Sequence, residues 1–228
     1  MNNEQLERTL GLLGEEYFEI LKNKTILIAG LGGVGGTALE ALARTGFNNF
    51  VIVDCDIVNL SNLNRQILYT LKDVGKSKVC AAEERLKALN ESANVTKINK
   101  KINLESINEF NELKVDLIVD AIDDVKGKIA LAKCAFEKDI PLITSLGMAN
   151  RFDPSQVEVI RLDKTTNDPL ARKFRHDLKA EGIDTSKIMT VCSKETPIKD
   201  GTKLNSTMMV PSTAGLCIAN YVIQYFRK

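Results

Sequence analysis

TILIAGLGGVGG, residues Thr25–Gly36, is the stretch whose reading decides the fold. Its first five residues form a short apolar, β-branched run that stops at glycine, and Val34 to Gly46 follow with apolar residues at helical spacing. That order predicts strand, tight turn, helix. Gly30, Gly32 and Gly35 make a G-x-G-x-x-G at the turn, with Gly33 inside it. Without side chains the backbone can approach a phosphate, and the free N–H groups and dipole of the helix start favour negative charge. Asp54 stands 19 residues after Gly35, at the tip of the next apolar run, where a carboxylate can accept hydrogen bonds from ribose hydroxyls.

The same alternation continues outward. Phe50–Val53, Val115–Ala121 and Pro141–Ser145 predict buried strands, Val95–Asn99 a weaker one, and Ser77–Leu89 and Val125–Lys138 predict helices. Strands alternating with helices imply a doubly wound, mainly parallel α/β sheet with right-handed crossovers. After Asp153-Pro154 the pattern changes to a mixed strand and helix extension. Val157–Leu162 alternates as a half-buried strand, Asp168-Pro169 opens a basic helix running to Lys179, and Ile188–Ser193 is another strand. Lys194–Ser206 is polar and aperiodic, which predicts a mobile loop, and Pro211–Tyr225 predicts a buried closing helix. The expectation is one domain over residues 1–228, with 1–150 as the nucleotide-binding part and 151–228 as a substrate-facing extension.

Composition narrows the function. The 228 residues carry 31 basic against 30 acidic side chains and one histidine, which excludes a uniformly basic nucleic-acid binder. The balance is uneven. Residues 1–150 hold 18 basic against 21 acidic, net −3, and residues 151–228 hold 13 against 9, net +4, so the last third is the better surface for a polyanion. Hydrophobic residues make up 44%, enough for a sizeable core, and no apolar run approaches the roughly 20 residues needed to span a bilayer. The polar start, Met1 to Arg8, is unlike a secretory signal, so a cytoplasmic location is expected. Five cysteines at 55, 80, 134, 192 and 217 form no C-x-x-C pair, which disfavours both disulfides and a four-cysteine zinc site.

A dinucleotide dehydrogenase shares everything up to Asp54. The next stretch separates the two. Asp54 leads to Asp56, then to Ser61-Asn62-Leu63-Asn64-Arg65-Gln66 and Gly75-Lys76-Ser77-Lys78. A guanidinium fork and an ammonium at the sheet edge suit a triphosphate, whose charge grows during transfer. Hydride transfer requires no such pair.

GLGGVGG (30–36), DCD (54–56), SNLNRQ (61–66), GKSK (75–78) and DAIDD (120–124) resemble the ubiquitin-activating-enzyme-like adenylyltransferases, which include the molybdopterin-synthase and thiamine-thiocarboxylate activators. The resemblance implies a Rossmann-like fold binding ATP and magnesium. It assigns Arg65 and Lys78 to the phosphates, Asn62 and Gln66 to their support, Asp54 and Asp56 to the nucleotide, and Asp123 to the metal, although an ordinary loop acid or helix cap also fits Asp123. Arg8, in RTLGLLGEEYFEIL, would reach the nucleotide of a partner protomer and imply a twofold homodimer.

The later part, SLGMANRFDPSQVEVIRLDKTTNDPLARKFRHDLKAEGI (145–183) and VPSTAGLCIANYVI (210–223), is similar to the tRNA threonylcarbamoyladenosine dehydratases. That likeness implies ATP-dependent cyclisation of a threonylcarbamoyl group on the adenosine 3′ of the anticodon. It leaves open a monovalent cation near the Ser145–Asp153 turn and a cysteine-desulfurase sulfur-transfer partner. Arg172, Lys173, Arg175 and Lys179 would face tRNA phosphates, or form an ordinary solvated surface; His176 among them is a poor candidate for a general base. Cys192 is either a relay or thioester thiol or, as its apolar strand suggests, an inert one. The second reading is an adenylyltransferase acting on the C-terminus of a ubiquitin-like sulfur carrier; a non-catalytic nucleotide sensor and an NAD dehydrogenase follow.

Overall fold

A strand that is apolar on both faces needs cover on both sides, and this chain wraps helices around a seven-stranded sheet to supply it. The computed structural model describes residues 3–110, 112–166, 168–198, 201 and 203–227. The elements in chain order are α1 (Asn3–Leu13), α2 (Glu15–Lys22), β1 (Thr25–Ala29), α3 (Gly33–Thr45), β2 (Asn49–Val53), α4 (Lys78–Leu89) and β3 (Asn94–Ile98). Then come β4 (Leu117–Asp120), α5 (Val125–Glu137), β5 (Leu142–Ser145), β6 (Val157–Arg161), α6 (Pro169–Ala180), β7 (Met189–Ser193) and α7 (Met209–Tyr225).

The strand order is β3-β2-β1-β4-β5-β7-β6, parallel throughout except for β6 against β7. The order reverses between β1 and β4, which opens a crevice at the carboxyl ends of those strands. Side chains of β1 alternate between two cores. Ile26 and Ile28 pack with Leu39, Leu42 and Val222 on one face; Leu27 and Ala29 pack with Ile118, Leu131 and Phe174 on the other.

Two glycines let the strand–helix junction close. Gly30 has φ +88°, in the left-handed region, and a Cβ there would lie 2.5 Å from the Ala121 carbonyl oxygen. A Cβ on Gly35 would lie 1.9 Å from the Gly30 carbonyl oxygen. Any side chain at either position forces β1, α3 and the end of β4 apart.

The extension joins the same sheet. β6 and β7 add to its edge beside β5, and α7 packs on α3 so closely that a Cβ on Gly215 would meet the Val34 carbonyl oxygen at 2.5 Å. Helices α1 and α2 lie in a stretch to which hydropathy spacing assigns no element. Residues 199, 200 and 202 of the expected mobile loop lie outside the described residues, as do 1, 2, 111, 167 and 228. The described part of that loop is irregular and hydrogen-bonded to Asn150. Among the described residues no helix is long and apolar enough to cross a membrane.

Candidate active site

The first turn of α3 opens at the crevice with Gly32 as N-cap and no side chain closing it, so its leading N–H groups are free for an anion. Asp54, at the end of β2, braces this loop. One carboxylate oxygen accepts from the Leu31 N–H at 2.7 Å and the other from the Asp56 N–H at 2.8 Å. Each oxygen keeps a second lone pair, so the brace and a ribose contact are compatible.

The connection from β2 to α4 brings the expected cations to the same edge. Lys78, 6% exposed at the start of α4, lies 2.8 Å from Asp56 and 3.8 Å from Asp54. The two acids hold the ammonium at the crevice. Arg65 is half-buried and donates one guanidinium nitrogen to the Ser61 carbonyl at 3.0 Å and to the Asn64 side-chain oxygen at 2.9 Å. Asn62 spends its side-chain oxygen on the Asn59 N–H at 3.0 Å, closing a capping box, so it shapes the turn and has only its amide N–H₂ to offer a ligand. Gln66 is 5% exposed, and its side-chain oxygen is a buried acceptor with no donor among the described residues. Its amide nitrogen is the nearest heavy atom, at 3.8 Å, to a Cβ placed on Gly32. A buried acceptor without a donor is costly unless a ligand or water fills it.

Asp123 is exposed in the loop after β4, and no protein group among the described residues engages its carboxylate. The helix cap is its neighbour: Asp124 accepts from the Gly127 N–H at 3.1 Å. Geometry thus removes capping from the roles open to Asp123 and leaves it an exposed loop acid. The Asp54, Cys55 and Asp56 ligand atoms also lie within 4.8 Å of one another, but Asp54 is engaged by backbone N–H groups and Asp56 by Lys78.

Two buried pairs escape a reading of the sequence. Lys128 and Asp120, both 0% exposed, meet at 3.2 Å, and Lys128 also donates to Thr144 and to the Ser145 carbonyl. The signal was present: Lys128 sits on the buried face of α5 with Leu131 and Ala135. Arg151, 4% exposed, donates to the carbonyls of Gly147, Ser193 and Glu195 and to Asp168, the N-cap of α6. Glu195 in turn accepts from the Phe152 and Asp153 N–H groups. Apart from Gly147, the partners of Arg151 lie 17 to 44 residues away, so nothing local links them to it.

The basic helix α6 divides its cations. Arg172 and Lys179 are exposed without a side-chain partner among the described residues, and Lys173 pairs with Asp177 at 2.9 Å. Arg175 turns inward and donates to the Thr165 carbonyl at 2.9 Å and to the Thr165 hydroxyl, so the structure gives it to the loop before the helix and not to an outer face. His176 is exposed beside Asp177. Arg8 is exposed on α1, whose Leu6 and Leu10 border a hollow with Gly46 and Asn48 at the amino ends of the strands. It therefore lies at the far end of the sheet from its own crevice. Cys192 is 3% exposed in β7, and burial, with Glu158 and Asp168 nearby, pushes its thiol up to about 11, which keeps it protonated near neutral pH.

Residues 4–225 match the ThiF family. The chain is 35% identical over 242 residues to the tRNA threonylcarbamoyladenosine dehydratase of Bacillus subtilis, covering 98% of this chain and 95% of the relative. It superposes on the Escherichia coli tRNA N6-threonylcarbamoyladenosine dehydratase solved with ATP at a TM-score of 0.93 and 31% identity, covering 99% of this chain and 94% of the other. A sulfur carrier protein adenylyltransferase from Thermus thermophilus is 35% identical over 142 residues, 62% of this chain and 51% of the relative.

Proposed function

This chain belongs to the ThiF family, and from that membership we propose that it adenylates a carboxylate on tRNA and closes a ring with it. It is an ATP-dependent adenylating enzyme, and the reaction is dehydration of threonylcarbamoyladenosine next to the anticodon. The observation that carries this is the reach of the likeness to dehydratases. It runs through β6, α6, β7 and α7, which nucleotide binding alone does not require, whereas the sulfur-carrier relative matches a shorter stretch.

The threonylcarbamoyl carboxylate attacks the α-phosphorus of ATP, forming an acyl-adenylate and releasing pyrophosphate. A nitrogen of the same substituent then attacks the acyl carbon, loses its proton, and AMP departs. Nucleophile and mixed anhydride belong to one group, so ring closure benefits from proximity. In our reading the α3 N-terminus and Gly30–Gly35 take the phosphates, with Asp54 and Asp56 on the nucleotide. Arg65 and Lys78 neutralise the charge that builds in transfer, and Gln66 offers its unfilled oxygen to a donor on the ligand. Asp123, a carboxylate without a partner among the described residues, would hold magnesium, which supplies charge neutralisation on the phosphates when bound. A monovalent cation near Ser145–Asp153, a desulfurase partner and a cytoplasmic location belong to the same proposal.

The exposure of Arg8 far from its own crevice supports donation to a partner's site in a twofold dimer. Mixing Arg8→Ala chains with Lys78→Ala chains is then expected to restore activity that neither has alone, because one of the two sites in a mixed dimer is intact. Recovery no better than the sum of the separate variants would refute shared sites.

Arg172 and Lys179 are the cations left to meet tRNA phosphates. The Arg172→Glu, Lys179→Glu double variant is expected to weaken tRNA binding and lower the slope of log affinity against log salt by about 2. An unchanged slope would remove α6 from the interface. The function itself is tested by incubating the protein with ATP, magnesium and threonylcarbamoyl-bearing tRNA and measuring the nucleoside by mass spectrometry. Loss of one water is expected; no loss, with pyrophosphate exchange driven by a diglycine-tailed carrier, would favour the sulfur-carrier reading.

A further inference from the structure

Asn150 sits in the left-handed region, φ +58°, in the turn after β5, and both limbs of the loop leading to α7 are tied to it. Its N–H donates to the Asn205 carbonyl at 2.7 Å, its side-chain oxygen accepts from the Asn205 N–H at 2.6 Å, and its amide nitrogen donates to the Lys203 carbonyl at 3.1 Å. The Ile198 N–H donates to the Asn150 carbonyl at 2.7 Å. One residue further on, the Ser206 carbonyl accepts from the Asn64 amide nitrogen at 2.9 Å, and the Asn64 side-chain oxygen accepts from Arg65 at 2.9 Å. A continuous chain of hydrogen bonds therefore runs from the β5 turn through residues 203–206 to the guanidinium. The nitrogen of Arg65 that takes part is committed to Ser61 and Asn64, while its other guanidinium nitrogens face no partner among the described residues.

We propose that Asn150 and Asn64 are positioning residues that fix the Arg65 guanidinium for nucleotide phosphate through residues 203–206. The proposal rests on the reading of Arg65 as a phosphate ligand. A free arginine side chain samples many rotamers, and ordering it in advance removes that loss from ligand binding. The geometry uses both functional groups of Asn64: the amide nitrogen is anchored by the strap, and the oxygen left over orients arginine. Asparagine is also among the few residues that enter the left-handed region readily, so Asn150 combines the required backbone shape with a donor and an acceptor.

The test is calorimetric affinity of the full chain for a non-hydrolysable ATP analogue with magnesium, without tRNA, for Asn150→Gly and Asn64→Ala, each made with Arg65 and with Arg65→Ala. Glycine keeps the left-handed backbone and deletes only the amide. Each variant is expected to weaken binding about fivefold when Arg65 is present, the size of one net hydrogen bond, and to have no further effect on Arg65→Ala. In turnover, KM for ATP should rise and kcat should fall, because the misplaced guanidinium also meets the charge that builds in transfer, while on Arg65→Ala neither constant should change further. Asn150→Asp, which keeps the acceptor for the Asn205 N–H, should recover part of the loss. Equal weakening in both backgrounds would show general loosening and overturn the proposal, and so would full affinity in Asn150→Gly. Unchanged affinity in Arg65→Ala alone would instead defeat the phosphate reading, and the proposal with it.

Discussion

Lys78→Ala is expected to lower kcat/KM for ATP-dependent adenylation by about 10²–10³-fold, the loss typical when one preorganised donor is removed from a developing charge. The lysine is fixed before any ligand arrives: its backbone N–H donates to the Asp56 carbonyl at 2.9 Å, and its ammonium sits between Asp54 and Asp56. That arrangement separates catalysis from folding. Asp56 is largely exposed and Asp54 keeps two backbone donors, so loss of the cation leaves neither acid stranded in the core. The variant should therefore fold with nearly wild-type stability and fail in ATP–pyrophosphate exchange. Exchange within about threefold of wild type would mean that the ammonium does not serve the phosphates.

The largest expected effect on stability belongs to Lys128→Met. Removing one member of a buried ion pair typically costs about 3–5 kcal/mol, because the remaining charge loses its compensation. Here the charge left behind is Asp120, 0% exposed, with only the Thr144 hydroxyl at 2.6 Å and the Ile122 N–H at 3.1 Å to stabilise it. Urea unfolding should show the loss, and adding Asp120→Asn to Lys128→Met should recover much of it, since no charge then remains buried. A loss under about 1 kcal/mol in the single variant would mean that water reaches the pair. The consequence extends to the site. Asp120 ends β4 three residues before Asp123, and the Ile122 N–H that it accepts belongs to the loop carrying that acid, so the pair anchors the start of the loop whose carboxylate we propose for magnesium.

Elements with strong local signals were legible. β1, α3, β2, β4 and α5 follow from hydropathy period and glycine placement, because a strand buried on both faces and an amphipathic helix each leave a mark on neighbouring residues. α6 follows from Asp168-Pro169, an N-cap and first-turn pair that the structure confirms. α1 and α2 were not legible, since their apolar residues are interrupted by glycine and by paired acids, and only packing on the finished sheet recruits them. The basic run on α6 gave the positions of its cations but not their directions. Arg175 looks equivalent to Arg172 in the sequence, and only the loop packed beside it turns the guanidinium inward.

The sequence by itself determined the order of strands and helices from β1 onward, the glycine turn at Gly30–Gly35, and the residue types gathered near a nucleotide: Asp54, Arg65, Lys78 and Asp123. These depend on short-range rules, the backbone freedom of glycine and the periods of helix and strand, which act between residues close in the chain. Tertiary structure decided which of those groups are free to act. It paired Lys78 with Asp56, gave the capping role to Asp124 and not to Asp123, left the Gln66 oxygen without a donor among the described residues, and joined Asn150 to Arg65 through residues 203–206. A hydrogen bond or ion pair depends on distance in space, and folding brings together positions that no spacing along the chain connects.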